Sequence, residues 1–427
     1  MAITWTNRKN DEPIYFSLTA GTLTLSLAGH TNLSFDGEGR LVGAWFDGVT
    51  YRRGLDNRVL MKWVADRRTG VRQRRFLDEE ARRTLLERAY AAPAMVQQGL
   101  HDGAISTGAT PPATIAAIDE WLTRVNGWSW PRLEAERERF AKVYKPISIL
   151  PPDQYLALVL QATEGCSYNE CSFCTFYRDR PFRIHTPTDF ATHIAAAKEF
   201  LGRGVSVRKT LFLADANAVI IPQERLLPLL DMVNQAFPIL PINASAEERA
   251  EWRTAHPWTL NGIYAFISAP DALRKDADDF AAMRARNVRR LYVGLETGHD
   301  PLRRFLRKQG TAADALAAVQ AIKGGGVEVG LIFMVGVGGE TYREAHFRDT
   351  VALLKEMPLG RDDLIYISPF VPWGDSPYVA DAENAGIAPL DDDALRAEEQ
   401  RFIQALRPWA RERGVRVSHY DVREFLY

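Results

Sequence analysis

YLALVLQATEGCSYNECSFCTFYRDR, residues 155–180, joins two patterns. Its first part is an apolar run without polar alternation, the mark of a strand buried on both faces. The second part is a polar loop carrying Cys166, Cys171 and Cys174, which are all three cysteines of a 427-residue chain. A loop at the carboxyl end of a buried strand is where open-sheet and barrel α/β enzymes place their chemistry.

Downstream, short apolar runs alternate with amphipathic stretches. TLFLAD, GIYAFISA, RLYVGLE, VEVGLIFMVG and LIYISPF are separated by segments such as QERLLPLLDMVNQAF, AADALAAVQAIKGGG and TYREAHFRDTVALLKEM. Buried strands between helices predict a parallel sheet, covered on both faces or closed into a barrel. Thr311 with Asp314 predicts a capping box, and Gly324–Gly326 a helix end. Phe347, Val351 and Leu354 stripe the next helix at i, i+4 and i+7. Six β/α units fit into residues 151–385, and residues 386–427 are read as a short helix–strand extension, a final helix followed by an extended tail.

Upstream the text changes character. IYFSL, TLTLSL and LVGAWF, broken by Gly, Asn and Asp, predict hairpins between residues 14 and 52. From Asp78 to Val143 the pattern is helical, and PISILPPDQ, residues 146–154, reads as a linker. Residues 1–150 therefore form an α+β accessory region. Residues 51–77 are rich in arginine around Trp63, a candidate phosphate or RNA contact weighed against plain solvated charge.

With 53 basic and 54 acidic side chains the net charge is −1, which favours neither nucleic acid nor an anionic membrane. The longest apolar runs, LALVLQA and VGLIFMVGVGG, are shorter than the roughly 18–20 residues of a membrane span. MAITWTNRKNDEP has no secretory pattern, and crowded, odd-numbered thiols make a poor disulfide framework, so a cytoplasmic location is expected.

The cysteines follow C-x4-C-x2-C. Thiolates select iron–sulfur clusters or zinc, and no fourth cysteine exists. One reading is zinc completed by His185 or His193; another is three buried thiols with no ligand. A third is a [4Fe–4S] cube held at three corners, with one iron left for a substrate or cofactor.

This placement, with Phe173 just before the last cysteine, resembles the radical S-adenosylmethionine (radical SAM) superfamily over residues 150–385. The first interval is four residues here, against the usual three. The resemblance implies a partial (βα)6 barrel, a cluster on Cys166, Cys171 and Cys174, and S-adenosylmethionine on the open iron, cleaved reductively to a 5′-deoxyadenosyl radical. It also implies cofactor contacts from Phe173, from Asp215 and Asn217 after the second strand, and from Ser268 after the third. Glu296, in a GLETG segment similar to the coproporphyrinogen-dehydrogenase-like and methylthiotransferase-like branches, is implied as a cofactor or catalytic carboxylate. Gly336 and Gly338, with Gly339, are implied to let the backbone approach adenine. The expected substrate is a small metabolite or natural-product intermediate, served by a low-potential electron donor such as ferredoxin or flavodoxin. A tRNA-modifying role is the second reading, and a non-catalytic metal-binding module the rival from another class. Arg178, Arg180 and Arg183 are candidates for an anionic group or ordinary loop residues; His299 and the tail tyrosines Tyr420 and Tyr427 are weaker candidates for the site.

Overall fold

The computed structural model describes residues 2–66 and 71–427, in two compact units. The first comprises Met1–Ile147, Ala195–Lys209 and Glu424–Tyr427. Its sheet has nine strands, eight of them joined in chain order as an antiparallel meander from Ala2–Asn7 to Val71–Phe76, with Ile105–Ser106 added beside the first. Strands Pro13–Leu18 and Thr22–Leu27 bury alternate residues, as a sheet with one covered face requires. Phe16, Leu23, Leu25, Leu33 and Phe35 supply that face, and Leu86, Ala89, Ile118 and Leu122 of the helices complete the core. The predicted hairpins are thus present and run on through residue 76.

Trp5 and Trp128 are core residues of this unit, with Trp121 and Trp130 packed against the cluster, so these four serve packing, while Trp45 is exposed. Three of the eight arginines of residues 51–77 pair inside the unit. Arg53 pairs with Glu136 at 3.3 Å, Arg58 with Asp56 at 2.5 Å and Arg74 with Glu424 at 3.6 Å. Arg67 and Arg68 lie outside the described residues. Arg40 pairs with Glu136 and donates to the carbonyls of Phe200 (2.6 Å) and Leu201 (3.0 Å), which ties segment 195–209 into the unit.

The second unit, Ser148–Ile194 and Thr210–Arg423, is built on a seven-stranded parallel sheet. Its strands lie in sequence order: Ala157–Gln161, Thr210–Ala214, Ile263–Phe266, Val288–Glu296, Glu328–Val335, Leu364–Pro369 and Arg416–His419. Unbroken sequential order is the wall of a (βα) barrel, whereas a doubly wound sheet reverses at a switch point. The first and last strands do not pair with each other among the described residues, so the barrel is partial. The first, second, fifth and sixth strands are buried at every position, the cause of the non-alternating text.

The capping box of Thr311 and Asp314 is formed, and Gly325 caps the end of the same helix. The tail contributes more than an extended segment. Helix Asp392–Arg413 buries Phe402, Leu406 and Ala410 at four-residue steps, which returns the chain to the start of the sheet. Strand Arg416–His419 then pairs in parallel with Leu364–Ile367, so residues 386–423 belong to the barrel unit and the wall has seven strands rather than six. No described helix is long and apolar enough to cross a membrane.

Candidate functional site

A cavity of about 240 Å³ opens at the carboxyl ends of the strands. Cys166, Cys171 and Cys174 all line it, as do Phe173, Asn217, Ser268 and Glu296. The structure therefore gathers seven of the sequence-predicted residues at one place.

The cysteine loop is held from outside. Arg178 donates to the carbonyls of Cys174 (2.9 Å) and Cys171 (3.1 Å), closing the loop on itself. The Ser172 amide donates to the Leu306 carbonyl at 3.0 Å, and the Ser172 carbonyl accepts from Tyr378 at 3.0 Å. Asn169 anchors the longer first interval, its amide donating to Cys166 Sγ at 3.4 Å and its side chain to the Tyr177 carbonyl at 3.1 Å. Phe173 packs onto the cluster of Leu302, Leu306, Met334 and Tyr378. With the backbone committed in this way, the thiols are left to the cavity.

Two predicted residues stand behind this loop. Asp215 does not line the cavity; its carboxylate accepts from Gln161 Nε2, the Gly165 amide and Arg180 Nη2, each at 3.1 Å. Burial pushes its pKa up against the pull of Gln161 and Arg180. Within the protein, Asp215 is a structural pin at the root of the loop. Asn217 bridges the loop to the third strand. Its amide donates to Asp271 (2.6 Å) and Ser167 (3.2 Å), and its oxygen accepts from the Ser268 amide at 3.2 Å. The Ser268 hydroxyl caps helix Ala269–Ala272 and donates to Asp271 at 2.5 Å.

Glu296 ends the fourth strand in the left-handed region, φ 60°, beside a register shift between Gly294 and Glu296. A non-glycine residue there is uncommon, and bulges re-aim side chains next to active sites. Its carboxylate accepts from Lys308 Nζ at 2.9 Å. Burial disfavours the Lys308 ammonium, but Glu296 and Cys171 outweigh it and hold its pKa above the ordinary lysine value. Lys308 was not legible: it sits 12 residues past Glu296, beyond a short helix, with no pattern linking the two.

The glycine turn after the fifth strand departs from expectation. Neither Gly336 nor Gly338 lines the cavity. Both have positive φ, and a Cβ on Gly338 would lie 2.8 Å from Leu302 while one on Gly336 would lie 2.6 Å from Leu395. A Cβ on Gly339 would collide with the Ala388 carbonyl. The close approach these glycines permit is to the protein itself. Ile332 and Met334, two apart on the strand, face the cavity instead.

The remaining candidates fall away from the site. His185 bonds Glu164 at 2.9 Å, His193 accepts from the Gln161 amide at 3.0 Å, and His299 bonds Asp349 at 2.7 Å. Arg183 pairs with Asp189 at 3.0 Å, and Arg180 is committed to Asp215 and Asp179. Tyr420 does line the cavity, with its hydroxyl donating to the Leu150 carbonyl at 2.9 Å, whereas Tyr427 belongs to the first unit.

The donor set was tested against the groups it could hold. Among the described residues no three His, Cys, Asp or Glu side chains converge to hold a single metal ion, and both histidines that could complete a zinc site are engaged elsewhere. Three thiols spread around a cavity suit a larger polynuclear group. Burial raises the Cys171 pKa and pushes Cys174 up to about 12, so these thiols keep their protons until a metal displaces them.

Residues 234–353 match the family model of the radical SAM superfamily, a stretch that includes the third to fifth strands, Ser268, Glu296 and the glycine turn. The chain carries a radical SAM domain. Members of that superfamily are enzymes that use a [4Fe–4S] cluster and S-adenosylmethionine, and the matched segment resembles them. Among solved structures, similar chains include archaeal Elp3 of Methanocaldococcus infernus, with 13% identity and a TM-score of 0.40 over 62% of this chain and 56% of that one. Coproporphyrinogen III oxidase of Escherichia coli has 13% identity and a TM-score of 0.40, over 63% of this chain and 55% of its own. Methylornithine synthase has 15% identity and a TM-score of 0.38, over 61% and 70%. The chain thus spans little more than half the length of the first two. No curated protein matches it in sequence. The cysteine loop, at the end of strand Ala157–Gln161, precedes the matched segment.

Proposed function

We propose that Cys166, Cys171 and Cys174 hold a [4Fe–4S] cluster whose remaining iron takes S-adenosylmethionine, and that the enzyme acts on a small organic substrate. The observation that carries this reading is the set of three thiols, without a fourth, on one loop facing the cavity of a radical SAM domain. When bound, cluster and cofactor supply a 5′-deoxyadenosyl radical that abstracts hydrogen from the substrate. The chain's own part is to position and to exclude water. Arg178 and Asn169 hold the backbone of the loop that carries the thiols. Phe173, fixed on its apolar cluster, shields the loop. Glu296 and Lys308 offer one charge of each sign, the complement of the zwitterionic amino-acid end of S-adenosylmethionine. Asn217 and Ser268 are neutral polar groups already oriented by Asp271.

Electrons would come from a low-potential donor such as ferredoxin or flavodoxin, and the reducing cytosol is where neighbouring thiols of this kind persist. A tRNA substrate has less support, because Arg53, Arg58 and Arg74 are paired within the first unit.

Anaerobic reconstitution tests the reading. Brown protein with about four iron and four sulfide per chain is expected, together with 5′-deoxyadenosine on adding dithionite and S-adenosylmethionine. Stoichiometric zinc without visible absorbance, or a cluster whose spectrum ignores S-adenosylmethionine, would overturn it.

A further inference from the structure

The thiols and the charged groups of the cavity wall lie on one side of it. The side formed by the first four strands carries the thiols, Asn217, Ser268 and the Glu296–Lys308 pair. Toward the ends of the fifth to seventh strands the lining changes to Met334, Phe370, Val371, Trp373 and Tyr420. Among the described lining residues Glu296 is the one carboxylate and Lys308 the one ammonium, and they neutralise each other at 2.9 Å. No charged side chain faces the cavity from the fifth to seventh strands.

This apolar side is built in advance. Phe370 meets Tyr378 edge-on with centroids 4.6 Å apart, and both pack with Met334 in one cluster. The polar end of Tyr420 is already bonded to Leu150. Trp373, still 37% exposed, meets Phe176 of the cysteine loop edge-on at 6.4 Å. A charged group placed here would lose hydration and find no partner, which is costly, whereas an aromatic ring gains both burial and edge-to-face contacts.

We propose that the substrate of this enzyme presents an uncharged aromatic group, bound between Trp373, Phe370, Met334 and Tyr420. The proposal rests on the reading of this cavity as the active site, and it is tested separately from it. Three probes share one ring and differ in charge: benzyl alcohol, benzoate and benzylammonium. Titrated calorimetrically into the anaerobically reconstituted full chain, benzyl alcohol should bind at least about tenfold more tightly than either ion. Trp373→Ala should weaken benzyl alcohol by about tenfold without changing iron content. Val371→Lys should move the preference to benzoate. Equal or tighter binding of an ion, no measurable binding of benzyl alcohol, or a selectivity untouched by both variants overturns the proposal. Missing iron or missing 5′-deoxyadenosine counts instead against the cluster assignment, since the calorimetric preference requires no turnover.

Discussion

The loop after the first strand and the turn after the fifth both sit at the carboxyl end of one parallel sheet, and both read as cofactor contacts in the sequence. They differ in what fills the space beside them. In the loop, Arg178, Asn169 and Asp215 satisfy the backbone from behind, and the thiols are left facing a cavity. In the turn, Leu302, Leu395 and the Ala388 carbonyl occupy the room that the missing side chains leave. Polar residues at a strand end become a site only when their own fold leaves something unspent. The glycines are spent on packing, the cysteines are not.

The sharpest way to break this contrast is at the loop. Cys174→Ala should remove the cluster and reduce 5′-deoxyadenosine formation by at least about 100-fold, more than even an outer-shell partner of a metal site costs; retained turnover would contradict the assignment. Next in size is the pin. Asp215→Ala leaves Arg180 without its inner carboxylate and the Gly165 amide without an acceptor, and should cost roughly 3–5 kcal/mol of stability with a matching loss of iron retention. Unchanged denaturant midpoints would show that the loop stands without Asp215.

On the turn side the expected effects are on folding rather than on cluster chemistry. His346, on helix Gly339–Glu356, is held neutral mainly by burial and titrates at about 4. Between about pH 6.5 and 4 the unfolded chain takes up a proton that the folded chain refuses. The stability that His346 contributes is therefore complete above pH 6.5 and lost on acidification, up to about 3 kcal/mol. His346→Gln should flatten this part of the stability–pH curve; an unchanged slope would place the acid sensitivity elsewhere. The smallest change is Gly339→Ala, which meets both a left-handed backbone, φ 54°, and the Ala388 carbonyl. A loss of about 1–3 kcal/mol is expected, with iron per folded chain unaltered. Loss of iron at full stability would reverse the contrast and return the turn to the cofactor.

Legibility followed the range of the interactions. The strands of the barrel and the capping box of Thr311 are governed by near neighbours, so period and spacing revealed them. The C-terminal strand was legible only as an extension, because Arg416–His419 is short and largely exposed and its pairing with Leu364–Ile367 alone makes it a seventh strand of the wall. Lys308 and Trp373 were missed for a related reason: neither carries a local pattern, and each reaches the cavity through the path of the chain between elements. Asp215 was located, but its partners within the protein were not legible, since Gly165 and Arg180 lie 50 and 35 residues away.

What the sequence determined alone was the chemistry available: three thiols on one loop, a strand to deliver them, and no fourth ligand. Residue type and local spacing suffice for that. Which polar groups remain free for a ligand, and which are consumed by the protein, was decided only in three dimensions, because hydrogen-bond satisfaction and close packing are settled between residues far apart in the chain.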